Sequence, residues 1–416
     1  MGPTIIFDKS FLQSISVDES VFLSQFFITN VTPLFYIETL GDLDLGDHKS
    51  GKPISKVISE LSKKVPDDSE PNVFHLRLIL GDLLGYKVEM DGRMIITGGE
   101  EKTDPDGNIG LFFKESSEQL ALRRWHGGEF YEIERDISHG WREMLSNMNF
   151  DSILGIIKNI VPEELKLSNS VQVLEFVDNF LKTTKIDLLL YLILELTGLP
   201  HKHYQKMLNR WNDGNFNDFN KFAPYAFYIL RLNLFFYICM LRGLESKNRP
   251  SHIIDLAYLY YLPFCNVFVS SDKLHKRIAP LFIRPNQMFV YGVELKNGFA
   301  VLNTYYEKYI DEINEKGFIS FAHQPPKDIK NIVSDIWDFI FPNWRDAKPS
   351  SLLNRDPEED KKLLEHLKNV QNNSVKSSTN IPTDQVHHIV TTHKFLVQKG
   401  KWRILPKGIE NNNDSK

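Results

Sequence analysis

The chain has 416 residues, of which 42% are hydrophobic and 25% charged, as in folded globular proteins rather than disordered ones. At about 150 residues per domain, this length predicts two to three domains. The two cysteines, Cys239 and Cys265, are too few for a disulfide framework or a zinc cluster, and no secretion signal begins the sequence, so we expect a cytoplasmic protein. The net charge of −5 argues against a protein that coats nucleic acid through bulk positive charge, but not against an enzyme that contacts a few phosphates.

The first 45 residues predict two strands that alternate with two helices. Ile5–Phe7 is a short apolar run that ends in Asp8, a pattern typical of a buried parallel strand. Ser16 is a suitable N-cap for the helix that follows it, because Asp18 and Glu19 lie in the first turn. Thr32–Tyr36 is predicted to be a second strand, and Glu38 opens the next helix.

The middle of the chain predicts a mainly helical block. Asp91 and Gly92 form a turn signal between two apolar runs, which predicts a β-hairpin over residues 87–97. Beyond Trp141 the apolar spacing is helical. Helices are predicted over residues 150–160, 162–183, 186–198, 200–212 and 222–243.

One segment of this block, Phe222–Leu241, is long and apolar enough to span a membrane. Arg231 and Asn233 lie near its centre, where an arginine alone costs about 2.5–3.5 kcal/mol. We therefore expect a helix buried in the protein core and no contact with a membrane.

The last third of the chain again predicts alternating helices and strands. Ser251 is predicted to cap a helix that contains Asp255. Val267–Ser270 is predicted to be a strand, and Asp272 opens the helix after it. A further strand is predicted over residues 287–291.

These elements divide the chain into three parts. The parts are a discontinuous α/β core at residues 1–45 and 250–342, a mainly helical insertion at 46–249, and a polar C-terminal extension at 343–416. Within the extension, Asp356–Lys368 is predicted to be a solvated helix, and Asn411–Lys416 is predicted to be disordered.

Four acidic residues fall at one edge of the predicted sheet. Asp8 and Asp272 follow strands, whereas Glu38 and Asp255 lie in the first turns of helices. Open parallel sheets bind ligands beyond the carboxyl ends of their strands. Like charges this close raise one another's pKa unless a cation compensates them, and Mg²⁺ or Mn²⁺ is the natural cation for oxygen ligands. Such a metal suits phosphodiester hydrolysis, because it activates water and neutralises the phosphate.

The segments that carry these acids resemble the PIN-domain nucleases. Ile5–Ser10 is similar to their opening strand, which ends in Asp followed two residues later by Ser or Thr. Thr32–Leu40 resembles their second strand and the helix that carries a Glu. Ile254–Leu259 and Val267–Asp272 resemble their late helix, which starts with Asp, and the strand that ends in Ser/Thr-x-Asp. The resemblance covers less than a quarter of the chain.

This resemblance implies a three-layer α/β/α fold with a mostly parallel sheet and a metal-dependent ribonuclease. Asp8, Glu38, Asp255 and Asp272 would be the catalytic metal ligands, and Ser10 would orient Asp8 or its bound water. It also favours RNA over DNA as the substrate. A toxin or defence role, controlled by a regulatory protein or by self-association, would fit such an enzyme.

The chain departs from the usual compact PIN pattern in one respect. About 200 residues separate Glu38 from Asp255, so the helical block would be an insertion that covers the site and selects the substrate. A competing hypothesis is a catalytically inactive PIN-like scaffold, in which the acids are helix caps and the helical block binds a partner protein.

A basic run follows the last acid directly and consists of Lys273, His275, Lys276 and Arg277. It lies on the helix that Asp272 opens, where Lys273, Lys276 and Arg277 could bind nucleic-acid phosphates; a solvated basic helix face is the alternative. The segment Asp104–Glu115 nearly matches a calcium-binding loop. Ile109, however, stands where that loop requires glycine, so an ordinary loop is expected.

Overall fold

The structure of the chain is a computed structural model. It describes residues 2–45, 51–65, 71–96, 99–103, 109–113, 116–147, 150–247, 249, 251–317, 324–346 and 400–402. The predicted helix at Asp356–Lys368, the predicted disorder at Asn411–Lys416 and part of the loop Asp104–Glu115 lie outside the described residues.

Four parallel strands form the central sheet, and two others form an antiparallel pair. The strands are β1 (Thr4–Phe7), β2 (Ile28–Asn30), β3 (Gly99–Thr103), β4 (Ile109–Phe113), β5 (Val267–Ser270) and β6 (Met288–Tyr291). The order in the sheet is β2-β1-β5-β6. Ile5 lies opposite Thr29 on one side and Val267 on the other. The expected α/β class with a parallel sheet is confirmed.

Helices make up most of the remaining described chain. They are α1 (Lys9–Ser14), α2 (Val17–Phe26), α3 (Pro33–Leu40), α4 (Ile54–Ser62), α5 (His75–Leu84), α6 (Ser117–His126), α7 (Glu132–Ser146), α8 (Asp151–Lys158), α9 (Ser170–Thr183), α10 (Ile186–Thr197), α11 (Tyr204–Asp213), α12 (Phe219–Phe222), α13 (Pro224–Leu241), α14 (His252–Leu259), α15 (Lys273–Ile278), α16 (Gly292–Tyr306), α17 (Ile310–Lys316) and α18 (Ile332–Ile340).

Both faces of the sheet are covered, because its strands carry apolar side chains on both sides. Ile6 and Phe268 belong to a core that includes residues of α8, α9, α10, α13 and α14. Ile5, Phe7 and Val269 belong to a second core, which includes residues of α1, α2, α16 and α18. Alternate residues of a strand point to opposite faces, so the two cores lie on opposite sides of the sheet. This arrangement is compatible with a three-layer α/β/α fold.

The second strand does not lie where the sequence predicts it. β2 is Ile28–Asn30, and the predicted strand Thr32–Tyr36 instead forms the start of α3. Pro33 is the first residue of that helix, a position where its missing N–H costs nothing and its fixed φ suits the helix. Glu38 therefore lies in the second turn of α3 rather than opening it.

The predicted hairpin at residues 87–97 is also wrong. The described part of that segment contains no strand, although Gly92 has the positive φ of 87° that the turn signal implies. Its backbone groups bond elsewhere: the Gly92 N–H donates to the Pro263 carbonyl, and the Val73 N–H donates to the Ile95 carbonyl. The antiparallel pair lies later in the chain, as β3 and β4.

The long apolar segment of the helical block forms α13. Within the described residues, it is the one helix long and apolar enough to span a membrane, and 72% of it is buried inside the protein. The polar residues near its centre have protein partners. Arg231 Nε lies 2.5 Å from Asp178 Oδ1, and the Asn233 side chain donates to the Ile229 carbonyl at 2.9 Å.

Candidate active site

The carboxyl ends of β1 and β5 meet at one edge of the sheet. The chain leaves β1 for β2 on one side, and β5 and β6 lie on the other side, so the topology switches between β1 and β5. At such a point open parallel sheets form the crevice in which they bind ligands. Asp8 directly follows β1, and Asp272 lies two residues beyond the end of β5.

Asp8 is buried, and its carboxylate accepts three hydrogen bonds. It is 4% exposed and forms the N-cap of α1, where Oδ1 accepts a hydrogen bond from the Phe11 N–H at 2.9 Å. Oδ2 accepts hydrogen bonds from the hydroxyls of Ser10 at 2.7 Å and Ser270 at 2.6 Å. Ser10 therefore makes the contact on which its predicted supporting role depends.

His275, which the sequence analysis did not assign to the site, is fully buried beside Asp8. Its Nδ1 lies 2.7 Å from Ser270 Oγ, and its Nε2 lies 2.7 Å from the Asp255 carbonyl oxygen. The Ser270 hydroxyl donates its proton to Asp8, so it accepts from Nδ1, and a carbonyl oxygen can only accept from Nε2. Both ring nitrogens therefore carry protons, and His275 is a cation.

The pKa values of this pair agree with the hydrogen bonding. Burial opposes a charge on His275, but its hydrogen bond to Asp8 and the negative charge of Asp8 raise its pKa to about 9. Burial also opposes ionisation of Asp8, but hydrogen bonds and the charge of His275 outweigh it and lower the pKa of Asp8. The distance from His275 Nδ1 to Asp8 Oδ2 is 3.4 Å, so the two form a buried ion pair at neutral pH.

Glu38 reaches the site from α3, with a side chain that is 30% exposed. Its Oε2 accepts a hydrogen bond from the Tyr258 hydroxyl at 3.0 Å, and its Oε1 lies 3.7 Å from Lys9 Nζ. Lys9 also forms an ion pair with Asp42 at 2.7 Å, and Asp42 forms a second ion pair with Arg142 at 3.0 Å. Burial and the nearby acidic charges outweigh Lys9 and raise the pKa of Glu38.

Asp255 and Asp272 complete the acidic group. Asp272 is the N-cap of α15, where Oδ1 accepts a hydrogen bond from the Leu274 N–H at 2.6 Å. Asp255 lies in the first turn of α14. Burial, together with the charges of Asp272, Glu38 and Asp8, raises the pKa of Asp255 to about 7. The structure thus brings the four predicted acids within electrostatic range of one another.

The four carboxylates offer the oxygen ligands that Mg²⁺ and Mn²⁺ prefer. In their present positions, no three His, Cys, Asp or Glu side chains of the described residues are arranged to hold a metal ion. Burial is the main cause of the raised pKa values of Glu38 and Asp255, and the other acids of the site add to it. A cation held among these carboxylates would favour their ionised forms.

The three predicted nucleic-acid-binding cations lie on the exposed face of α15. Lys276 Nζ lies 4.3 Å from the centre of the Tyr291 ring. Arg277 forms an ion pair with Glu245 at 2.6 Å. Within the described residues, Lys273 has no ion pair.

Apart from Ser10, the residues that support the acids carry no sequence signal that assigns them to the site. Lys9 follows Asp8 directly, and Ser270 closes β5, but a lone Lys or Ser carries no distinctive signal. His275 lay within a run of basic residues that indicates a solvated helix face. The apolar residues Leu274 and Ile278, which are both buried, were the signal that this side of α15 faces inward.

Comparison with protein families, with characterised proteins and with solved structures gives no significant match for this chain.

Proposed function

We propose that the four acids bind a divalent cation, Mg²⁺ or Mn²⁺, and that the protein hydrolyses phosphodiester bonds of nucleic acid, with RNA as the favoured substrate. The observation that carries this proposal is the placement of Asp8 and Asp272 at the switch point of the sheet, with Asp255 and Glu38 in electrostatic contact. The PIN-like assignment of the fold and a toxin or defence role belong to the same proposal.

The proposal gives three of the acids one role and allows a different role for the fourth. Asp8, Asp255 and Asp272 would hold the cation, and Glu38 would hold it or orient the attacking water. A bound cation supplies an activated water and neutralises phosphate charge. Tyr258 and Lys9 position the Glu38 carboxylate through the contacts described above.

A second candidate, the inactive scaffold, is favoured by one observation. His275 already supplies a buried positive charge at Asp8, so this carboxylate is neutralised without a metal ion. In that case the acids have a structural role, and the helices between Ile54 and Leu241 would bind a partner protein.

The deciding experiment measures cleavage of labelled single-stranded RNA and DNA in Mn²⁺, Mg²⁺ or EDTA, with wild type and Asp255→Asn. The Asp255 side chain caps no helix, so this substitution removes a proposed ligand charge with little effect on the fold. We expect metal-dependent cleavage that the variant loses by more than about 100-fold, since even outer-shell partners of a metal site cost 10- to 100-fold. Glu60→Gln is the matched control, because Glu60 is an exposed acid paired with Lys52 and should not affect cleavage.

Metal binding gives a second readout that does not require the right substrate. Mn²⁺ at about 100 times its dissociation constant should stabilise wild type by about 2.7 kcal/mol, and Asp255→Asn should not respond. If neither nucleic acid is cut and Mn²⁺ stabilises both proteins equally, the scaffold is the correct interpretation.

A further inference from the structure

A pocket with a cavity volume of about 660 Å³ adjoins the acidic site and includes Asp272 in its wall. Its other walls come from the connection between α13 and α14, from the start of α14 and from α15. Asp272 therefore belongs both to this pocket and to the acidic site, so a chain-like ligand can occupy both at once.

The pocket has a net positive charge, because Arg249, Lys273 and Arg277 outnumber the carboxylates of Glu245 and Asp272. Glu245, whose side chain is 9% exposed, is neutralised by Arg277, which contacts both of its carboxylate oxygens. Arg249 and Lys273 also line the pocket, are exposed, and form no ion pair with any described residue. These two cations attract an anionic group, although the carboxylate of Asp272 opposes part of this attraction.

Two buried polar atoms in the wall lack partners within the described structure. His252 is 5% exposed, and its Nδ1 has no hydrogen-bond partner; the Ser271 hydroxyl oxygen has none either. The His252 ring is held edge-on against Phe236, with the ring centres 6.3 Å apart. Buried polar atoms usually have a hydrogen-bond partner, so a hydroxyl without one is available to a ligand.

We propose that this pocket binds a backbone phosphate of a nucleic-acid strand, adjacent to the phosphate that reaches the acids; the inference rests on the proposed function. Arg249 and Lys273 supply charge, and the Ser271 hydroxyl supplies a neutral donor to a phosphate oxygen. Phosphate contacts of this kind position a strand without reading its sequence. The pocket thus sets which bond of the strand lies at the acids.

The test measures binding of a short labelled single-stranded RNA, and of the same DNA sequence, by fluorescence anisotropy in EDTA. Removal of metal prevents cleavage, so binding is measured apart from the proposed chemistry. The double variant Arg249→Gln/Lys273→Gln should raise the dissociation constant about tenfold. It should also reduce the slope of log affinity against log salt by about 0.7, since one phosphate contact to a single strand contributes about 0.7.

A matched control removes the same charge elsewhere. Lys202→Gln/Lys206→Gln changes two exposed lysines at and near the start of α11 and should leave affinity and salt slope close to wild type. Ser271→Ala removes a neutral donor, so it should weaken binding several-fold while the salt slope stays unchanged. The ordered fold of each variant is checked by circular dichroism.

The outcomes separate this inference from the proposed function. Weaker binding in the pocket variants alone supports it, whether or not wild type cleaves RNA. Equal weakening in the control pair, or none in either, overturns it. If wild type binds inorganic phosphate but neither RNA nor DNA, the nucleic-acid assignment of the pocket fails together with the proposed function. RNA with a terminal phosphate and RNA with hydroxyl ends show whether a strand end or an internal phosphate occupies the pocket.

Discussion

The hydrogen bonds around Asp8 determine the protonation state of His275, which residue types alone do not reveal. A histidine that donates to two acceptors is a cation, and here the Asp8 carboxylate lies beside its Nδ1. Each charge is buried and depends on the other. Removing one partner of such a pair leaves an uncompensated buried charge, which costs about 3–5 kcal/mol.

We therefore expect His275→Leu to lower the free energy of unfolding by about 3–5 kcal/mol at pH 7, measured by urea denaturation. Adding Asp8→Asn removes the carboxylate that His275→Leu leaves without a counter-charge. The double variant should therefore recover part of this loss. The pair also sets a pH dependence. Since the pKa of His275 rises from its ordinary value of 6.5 to about 9, its contribution is complete below pH 6.5 and is lost as the pH rises to about 9.

The double variant should lack this loss between pH 6.5 and pH 9. The control is His201→Gln, which changes an exposed histidine paired with Glu195 and should alter stability by less than about 0.5 kcal/mol. Equal pH profiles for wild type and the double variant would show that His275 is not charged in the folded protein.

Sequence patterns predicted where the acids lie, but not which groups neutralise their charge. Asp8, Asp255 and Asp272 were predicted to share an edge because each follows a strand or begins a helix. The neutralising groups were not found, because which side chain fills the space behind a carboxylate depends on tertiary packing. His275 reaches Asp8 through the turn from β5 into α15, which brings residues 267 positions apart in the chain together.

At the scale of elements, one helix start depends on a residue far away in the chain. α13 begins with Pro224, and the residue before it is Ala223, which has no side chain that can cap the helix. The cap comes from Asp82 of α5, whose Oδ2 accepts hydrogen bonds from the N–H groups of Tyr225 at 2.8 Å and Ala226 at 2.9 Å. Burial outweighs these bonds and raises the pKa of Asp82 to about 6.

Asp82→Ala should lower the free energy of unfolding by about 2–4 kcal/mol, because it leaves two buried N–H groups without an acceptor. Asp82→Asn keeps an acceptor oxygen and removes a poorly solvated charge, so its cost should be about 1 kcal/mol or less. Urea denaturation at pH 7 measures both variants.

The exposed cap Asp218 of α12 provides the comparison for this test. Its side chain accepts a hydrogen bond from the Asn220 N–H at 2.8 Å, and Asp218→Ala should cost about 1 kcal/mol. An Asp82→Ala variant no less stable than Asp218→Ala would contradict the cap assigned to Asp82.

Element type was predictable where local signals were sufficient. The helices of the middle block follow from their apolar spacing, although α9 begins at Ser170 rather than at residue 162. The strand β2 was misplaced because Thr32–Tyr36 is the more apolar run, whereas Ile28–Asn30 is the segment that pairs with β1. Strand pairing is decided by a neighbour in space, and no local pattern states which neighbour that is.

At the scale of the whole molecule, both ends of the chain meet on the second core. The extension after residue 342 was predicted to be polar, yet Gly400–Trp402 returns to the face formed by α2 and α16. The Trp402 ring is fully buried, 6.4 Å from the ring centres of Phe22 and Tyr306. Composition identifies a polar tail, but it does not reveal that one aromatic side chain in the tail completes a core.

Trp402→Ala should therefore lower the free energy of unfolding by about 3–5 kcal/mol, the usual cost of removing a buried aromatic side chain. The loss should include the hydrogen bond from Trp402 Nε1 to Asn303 Oδ1 at 2.9 Å. Lys401→Ala is the control, because the ion pair of Lys401 with Glu307 is solvent-exposed and should contribute little to stability. Urea denaturation compares the two variants. If they are equally stable, the tail does not hold α2 and α16 together. If Trp402→Ala alone is destabilised, the C-terminal segment is part of the core on which β1 and Asp8 rest.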